Sequence, residues 1–300
     1  MKSYVVDLNI LQDVEFSTKI QAKGDCRFIL PDVALVEMCK HENCQLTMKL
    51  ALHVFVEHTD QLAVTLSVGE ALNGEVNSIS PTTSEGLVSD DFTRITRQLV
   101  KDLAKDEKDV NKAIQEKFGS VRKKLLDNEL DAAAAKRRTE QRLEILRPVL
   151  TPEILKSIRK PEIDRPSFLS FTQVAAEIFC RKRLSKECGM TENEAQRFIE
   201  KRPMFLREEY LLVWHCLKTI SLGGDISAMK AGKELNHQLD LDFALIASYF
   251  DGILSRDRRT NEAYQDLLAI LATSSSKAFE RFNRWLEELD VRISPAQISR

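Results

Sequence analysis

Tyr4-Val5-Val6-Asp7-Leu8-Asn9-Ile10-Leu11 reads as a short strand of aromatic and β-branched residues that stops at a carboxylate. A polar stretch, 12–25, separates it from a second apolar run, Arg27-Phe28-Ile29-Leu30, which ends in Pro31-Asp32. Pro31 has no N–H to give a ladder and biases what precedes it to extended backbone. From Val33 the spacing turns helical, with Val33, Val36 and Met38, then Leu46, Leu50 and Val54. Gln61-Leu62-Ala63-Val64-Thr65-Leu66-Ser67-Val68 returns to alternation and predicts another strand. Strand, helix and strand in short succession point to an α/β sheet.

Further along, residues 69–91 carry Gly69, Gly74, Ser78, Ser80-Pro81-Thr82-Thr83-Ser84 and Gly86, and read as loop or linker. Helical spacing follows in Ile95, Leu99, Leu103, Val110, Ile114 and Phe118, then in Leu125, Leu126, Leu130 and the alanines of 132–135. Thr191-Glu192-Asn193-Glu194 has the form of a capping box and predicts a helix opening near Glu192. Tyr210 to Leu222 is apolar on nearly every face and predicts a buried helix. After a helix over about 228–238, Asp240 and Asp242 open a second one, and Gly252-Ile253-Leu254 is a very short strand. Helices over about 260–273 and 276–289 and an edge strand at 290–293 complete the chain. The division expected is an α/β part in 1–72 and 221–300, interrupted by a helical insertion over 73–220.

Composition agrees with that plan. Ten Gly and eight Pro in 300 residues favour long helices over a many-turned β sandwich. Six cysteines in a chain of this length are no disulfide framework, so reduced thiols in a cytoplasm are expected. No apolar run reaches membrane-spanning length and the N-terminus lacks a basic-then-apolar leader, so neither a membrane partner nor export is expected. Residues 74–216 hold 27 basic against 24 acidic side chains, so the helical part is mildly basic and the remainder acidic.

The informative feature is where carboxylates fall. Asp7 closes the first strand, Glu37 lies on the helix after the second, Asp240 and Asp242 open a helix, and Asp257 follows the last short strand. In an open parallel sheet such positions gather in one crevice beyond the carboxyl ends of the strands. Converging carboxylates repel one another unless a cation neutralises them. Hard oxygen donors favour Mg²⁺ or Mn²⁺, which lower the pKa of a water and polarise a phosphodiester. The chemistry implied is metal-dependent phosphodiester hydrolysis.

Four stretches in this order resemble the motifs of the PIN-domain nucleases. Tyr4 to Leu11 is similar to their strand-Asp-x-Asn/Ser opening, and Phe28-Ile29-Leu30-Pro31-Asp32-Val33-Ala34-Leu35-Val36-Glu37 to their second motif. Asp240-Leu241-Asp242-Phe243-Ala244 resembles the third, and Gly252-Ile253-Leu254-Ser255-Arg256-Asp257 the fourth. The resemblance covers about 1–70 and 225–300 and implies a three-layer α/β/α core. It implies metal coordination by Asp7, Glu37, Asp240 and Asp257, with Asn9 and Ser255 orienting the ligands or metal waters, and cleavage of RNA or, less often, DNA. Asp240 and Asp242 compete for the third position; two residues apart on a helix they point about 200° apart, and the spacing to Ala244 and Asp257 favours Asp240.

The function expected is therefore a metal-dependent endoribonuclease. Arg256, Arg258 and Arg259 flank the fourth acidic position and are expected to touch nucleic acid. Arg122-Lys123-Lys124, Lys136-Arg137-Arg138 and Arg181-Lys182-Arg183 interleave with acidic residues and read as solvated helix faces. Cys39-x-His41-x-x-Cys44 lacks a fourth ligand at a familiar spacing and reads as ordinary buried thiols, and His215 as a core histidine. His237 is near enough to the acidic set in sequence to be weighed as a substrate contact. The rivals are an inactive PIN-like nucleic-acid-binding or scaffold module and a flap or single-strand DNA nuclease. A protein inhibitor or partner docking on the insertion, and a homodimer, are left open as further associations.

Overall fold

A computed structural model describes residues 1–13, 15, 16, 18, 20, 25–39, 44–105, 131–159 and 163–291. It is an α/β protein, mostly helical, with one four-stranded sheet that is parallel throughout. The strands are β1 (Lys2–Val6), β2 (Cys26–Leu30), β3 (Leu62–Val64) and β4 (Gly252–Leu254), in the spatial order β3-β2-β1-β4. β1 is therefore central. Val5 faces Ile29 on one side and Ile253 on the other, and Val6 pairs with Leu254. Central parallel strands are covered on both faces, which is why Val5, Val6, Phe28, Ile29 and Leu30 form unbroken apolar runs.

The chain folds as two compact units. The first holds 1–71, 82–131 and 242–264, and contains the whole sheet. Pro31 ends β2, and its carbonyl accepts from the N–H of Ala34 as the Asp32–Cys39 helix begins. Phe16, Phe28 and Phe55 meet edge-on or tilted, with ring centroids 5.3 to 6.4 Å apart. The Asp90–Lys105 helix covers the outer edge of β3. From it Arg97 donates to the carbonyls of Leu62 and Asp60, and the Thr93 hydroxyl accepts from the N–H of Val64 at 2.9 Å. An open strand edge is thereby closed. On the opposite side of the sheet Gly252 leaves room for Tyr4, whose ring carbon would lie 3.3 Å from a Cβ placed there.

The second unit, 72–81, 132–241 and 265–300, is helical among its described residues. Its long Arg165–Cys188 helix packs on Met204–Ser221, Ser275–Glu288 and Glu192–Glu200. Asp164 caps its start by accepting from Ser167 N at 2.8 Å, and Gly189, at φ +67°, ends it in the left-handed conformation. Thr191 and Glu194 form the expected capping box at the head of Glu192–Glu200. Met204–Ser221 is buried along nearly its whole length, as its all-round apolarity predicts.

Several sequence expectations are corrected. Residues 69–91 are not a linker: Val68–Ser78 is a helix, Ser84–Leu87 a helical turn, and the next helix begins at Asp90. The third strand is short, ending at Val64, and Thr65 makes an isolated antiparallel bridge to Val88. The expected helices at 228–238 and from 240 are one, Ala231–Ala247, so Asp240 and Asp242 lie within a helix and open nothing. Val291 is not in a strand, and 292–300, like His41 and 106–130, lie outside the described residues. By compact packing, 82–105 group with 1–71 and 242–264, while 221–241 and 265–291 group with 132–220. No described helix is long and apolar enough to cross a membrane, and all six cysteines are free.

Candidate active site

Asp7 follows β1 directly, in extended conformation, and its N–H donates to the Leu254 carbonyl of β4 at 3.0 Å. It is 7% exposed, which is low for a carboxylate. Its Oδ2 accepts from Ser255 Oγ at 2.5 Å and from Asn9 Nδ2 at 2.7 Å. Ser255 is the first residue after β4, so this hydroxyl joins two adjacent strand ends. The same oxygen of Ser255 accepts from the N–H of Asp257 at 3.0 Å, tying the second carboxylate to the first. Asn9 works from the other side: its Oδ1 accepts from the N–H of Arg256 at 3.0 Å.

Asp257 is half-buried and heads the Arg258–Leu271 helix. Its Oδ1 accepts from Thr260 N at 2.6 Å, an N-cap bond, and its carbonyl accepts from Asn261 Nδ2 at 2.7 Å. Asn261 also holds the Ser255 carbonyl, at 2.9 Å. The loop 255–257 is thus fixed from Asp7, Asn9 and Asn261 together. Arg256 is exposed and its guanidinium pairs with Asp13. No Lys or Arg pairs with Asp7 or Asp257 among the described residues.

Electrostatics set Asp7 apart. Burial pushes its pKa above the ordinary carboxylate value. The Ser255 hydroxyl, the nearby N–H groups of Leu8 and Asn9, and the Asn9 amide act in the opposite direction without cancelling it. Neutral donors orient the carboxylate, then, and a cation beside it would favour its charged form.

The other expected acidic positions lie on helices. Glu37 is half-buried on the Asp32–Cys39 helix, which packs against the Leu8–Leu11 turn that follows Asp7. Asp240 and Asp242 are both half-buried on Ala231–Ala247, and the seam between the two compact units runs between Leu241 and Asp242. Arg258 is exposed in the first turn of its helix, and Arg259 is half-buried. The structure therefore brings Asp7, Asn9, Ser255, Arg256 and Asp257 into one hydrogen-bonded network. The Glu37 helix packs on the Leu8–Leu11 turn that carries Asn9.

Two features were not read from the sequence. Asp13, which holds Arg256, sits in the polar stretch after the first strand, where nothing in the local pattern marks it. The second lies in the helical unit. Among the described residues, His215, Glu234 and His237 are the set of three or more metal-ligating side chains whose ligand atoms lie within 4.8 Å of one another. It includes none of Asp7, Glu37, Asp240, Asp242 and Asp257. Its signal in the sequence was Glu234-x-x-His237, a spacing that puts both side chains on one helix face. Compared with known proteins, the chain matches no family model, no curated protein and no solved structure.

Proposed function

We propose that the chain is a PIN-like, metal-dependent endoribonuclease whose acidic site lies beyond the carboxyl ends of β1 and β4. The observation that carries this reading is the Ser255 hydroxyl bridging Asp7 and the Asp257 N–H at that place in the sheet. In the order β3-β2-β1-β4 the chain winds from β1 through β2 to β3 on one side, then returns to the other side of β1 as β4. The crevice where that direction reverses is the place where open parallel sheets bind ligands. Asp7 directly follows β1, and Asp257 comes shortly after β4.

The donor set fits a hard divalent cation, Mg²⁺ or Mn²⁺. Asp7 and Asp257 offer oxygens, and no cationic side chain neutralises either among the described residues. Asp7, Asp257 and Glu37 would hold the ion. When bound, such an ion lowers the pKa of a water and offsets charge on the phosphate oxygens. Asn9 and Ser255 fix the Asp7 carboxylate so that it need not reorganise as charge develops. Arg258 and Arg259, and Arg256 once it leaves Asp13, supply cationic contacts for the phosphates on either side of the scissile bond.

Cleavage of a mixed panel of RNA and single-stranded and flapped DNA, with Mn²⁺, with Mg²⁺ and with chelator, tests the reading. Metal-stimulated cutting of RNA is expected, with rates falling by about 10³-fold or more in Asp7→Asn and Asp257→Asn, the scale on which loss of transition-state charge stabilisation acts. Glu37→Gln, Asp240→Asn and Asp242→Asn assign the remaining ligands. Cutting that survives both strand-end substitutions overturns the site. Preference for DNA shifts the substrate class, and metal-independent binding without cleavage supports the scaffold module instead.

A further inference from the structure

Glu234 lies in the interior of the helical unit, fully buried, on the Ala231–Ala247 helix. Facing it from Met204–Ser221 is His215, also fully buried, whose Nε2 lies 3.0 Å from both carboxylate oxygens. His237, one turn after Glu234, is half-buried, and its ring meets that of His215 edge-on, with centroids 5.3 Å apart. We propose that His215, Glu234 and His237 form a zinc site, with water as the fourth ligand.

Three features support it. The first is spacing. Ligands at about 2.0–2.1 Å on a tetrahedral Zn²⁺ lie about 3.3 Å from one another. His215 and Glu234 are already within that distance, and all three ligand atoms are within 4.8 Å. An inward shift of the half-buried His237 closes the set. The second is the outer layer. Glu234 Oε1 accepts from the Thr139 hydroxyl and from Gln238 Nε2, and Gln238 is itself anchored to Thr139 Oγ1 and the Ala135 carbonyl. Oε2 has His215 as its one hydrogen-bond partner among the described residues, which makes it the oxygen available to an ion. A carboxylate aimed by second partners in this way is characteristic of metal centres.

The third is chemical state. Burial alone would raise the pKa of Glu234, but the hydrogen bond and charge of His215, with Thr139 and Gln238, pull it down to about 2, so the oxygen ligand is ionised at neutral pH. Binding at His215 Nε2 requires that nitrogen to be unprotonated, so any proton it shares with Glu234 leaves to solvent and the lone pair goes to the metal. Cys216 is not the fourth ligand. Its thiol points to the Thr139 carbonyl at 3.8 Å, and burial beside Glu234 keeps it protonated. Two imidazoles and one carboxylate suit Zn²⁺ over Mg²⁺ or Mn²⁺, so the site is chemically separate from the acidic one and does not depend on it.

The test uses the full chain, stripped with chelator and titrated with Co²⁺ as a visible probe, then with Zn²⁺. One equivalent of four-coordinate Co²⁺, displaced by Zn²⁺ and not by excess Mg²⁺, is expected in the wild type and in the Asp7→Asn/Asp257→Asn double variant. His237→Ala is expected to bind at least tenfold more weakly and to lose the rise in Tm that Zn²⁺ gives the wild type, while its metal-free Tm stays close to wild type. If alanine impairs folding, His237→Asn repeats the measurement with a side chain of closer polarity. Absence of stoichiometric Co²⁺ binding by the wild type overturns the proposal. So does binding that His237 variants keep, or that the strand-end double variant loses.

Discussion

At the scale of single residues, Asp7 carries a pH signature that separates its electrostatics from its proposed catalytic part. Its pKa in the folded chain lies above the ordinary 3.8. The folded state therefore holds the Asp7 proton more tightly than the unfolded state. Stability from this group is greatest below pH 3.8 and declines as pH rises through the folded value. Asp7→Asn cannot ionise and escapes that decline. In chelator, its Tm relative to wild type is expected to be more favourable at pH 7 than at pH 3, as thermal melts at the two pH values would show. Asp7, Asn9, Ser255 and Asp257 were legible because a polar residue directly after an apolar strand needs a partner, and strand ends supply one. Glu234 was not. A buried carboxylate within a helix looks like any amphipathic position until the histidine from another helix is seen against it.

Elements held by buried charge are the next level. Glu209, fully buried on Met204–Ser221, takes two bonds from Arg142, at 2.9 and 2.7 Å, and a further contact from Arg183. Removing the two-bond partner leaves Glu209 only the Arg183 contact, so Arg142→Met is expected to destabilise by about 3 kcal/mol, the lower end for broken buried pairs, in urea unfolding. The same helix explains the clearest misreading. Gly69, Gly74 and Ser78 made 69–91 look like linker, since each is a weak helix former. Yet Glu75, buried within Val68–Ser78, accepts from the N–H groups of Met204 and Phe205 at 2.8 and 2.7 Å. Pro203, at the cap position, offers no side-chain bond there. Long-range capping overrides local propensity, and propensity is all that a window of sequence displays. The merged helix 231–247 has a similar cause: Leu239, Leu241 and Phe243 are buried on either side of Asp240 and Asp242, so the carboxylates interrupt nothing.

Over the whole molecule, the sheet was legible because its strands are short apolar runs with abrupt polar ends. The grouping of helices was not, because it is set by contacts between residues far apart in sequence. That separation governs how the fold is reached. β1 is central, but β4 joins it across 248 residues, counted at the Asp7–Ser255 bond. Helices need only local contacts, whereas distant pairings form after the entropy of closing a long loop has been met. On refolding from denaturant, far-UV circular dichroism is expected to recover before the cleavage activity proposed for the Asp7–Asp257 crevice. Simultaneous recovery of both signals would contradict this order.

The bond from Ser255 to Asp7 has a counterpart in the cell. Asp7 is translated 248 codons before the residue whose hydroxyl holds it. A polypeptide cut short by stalling or a premature stop before that point carries the first carboxylate without its clasp or its neighbour. If the crevice cleaves RNA, an incomplete translation product is thus harmless to the message from which it is being read.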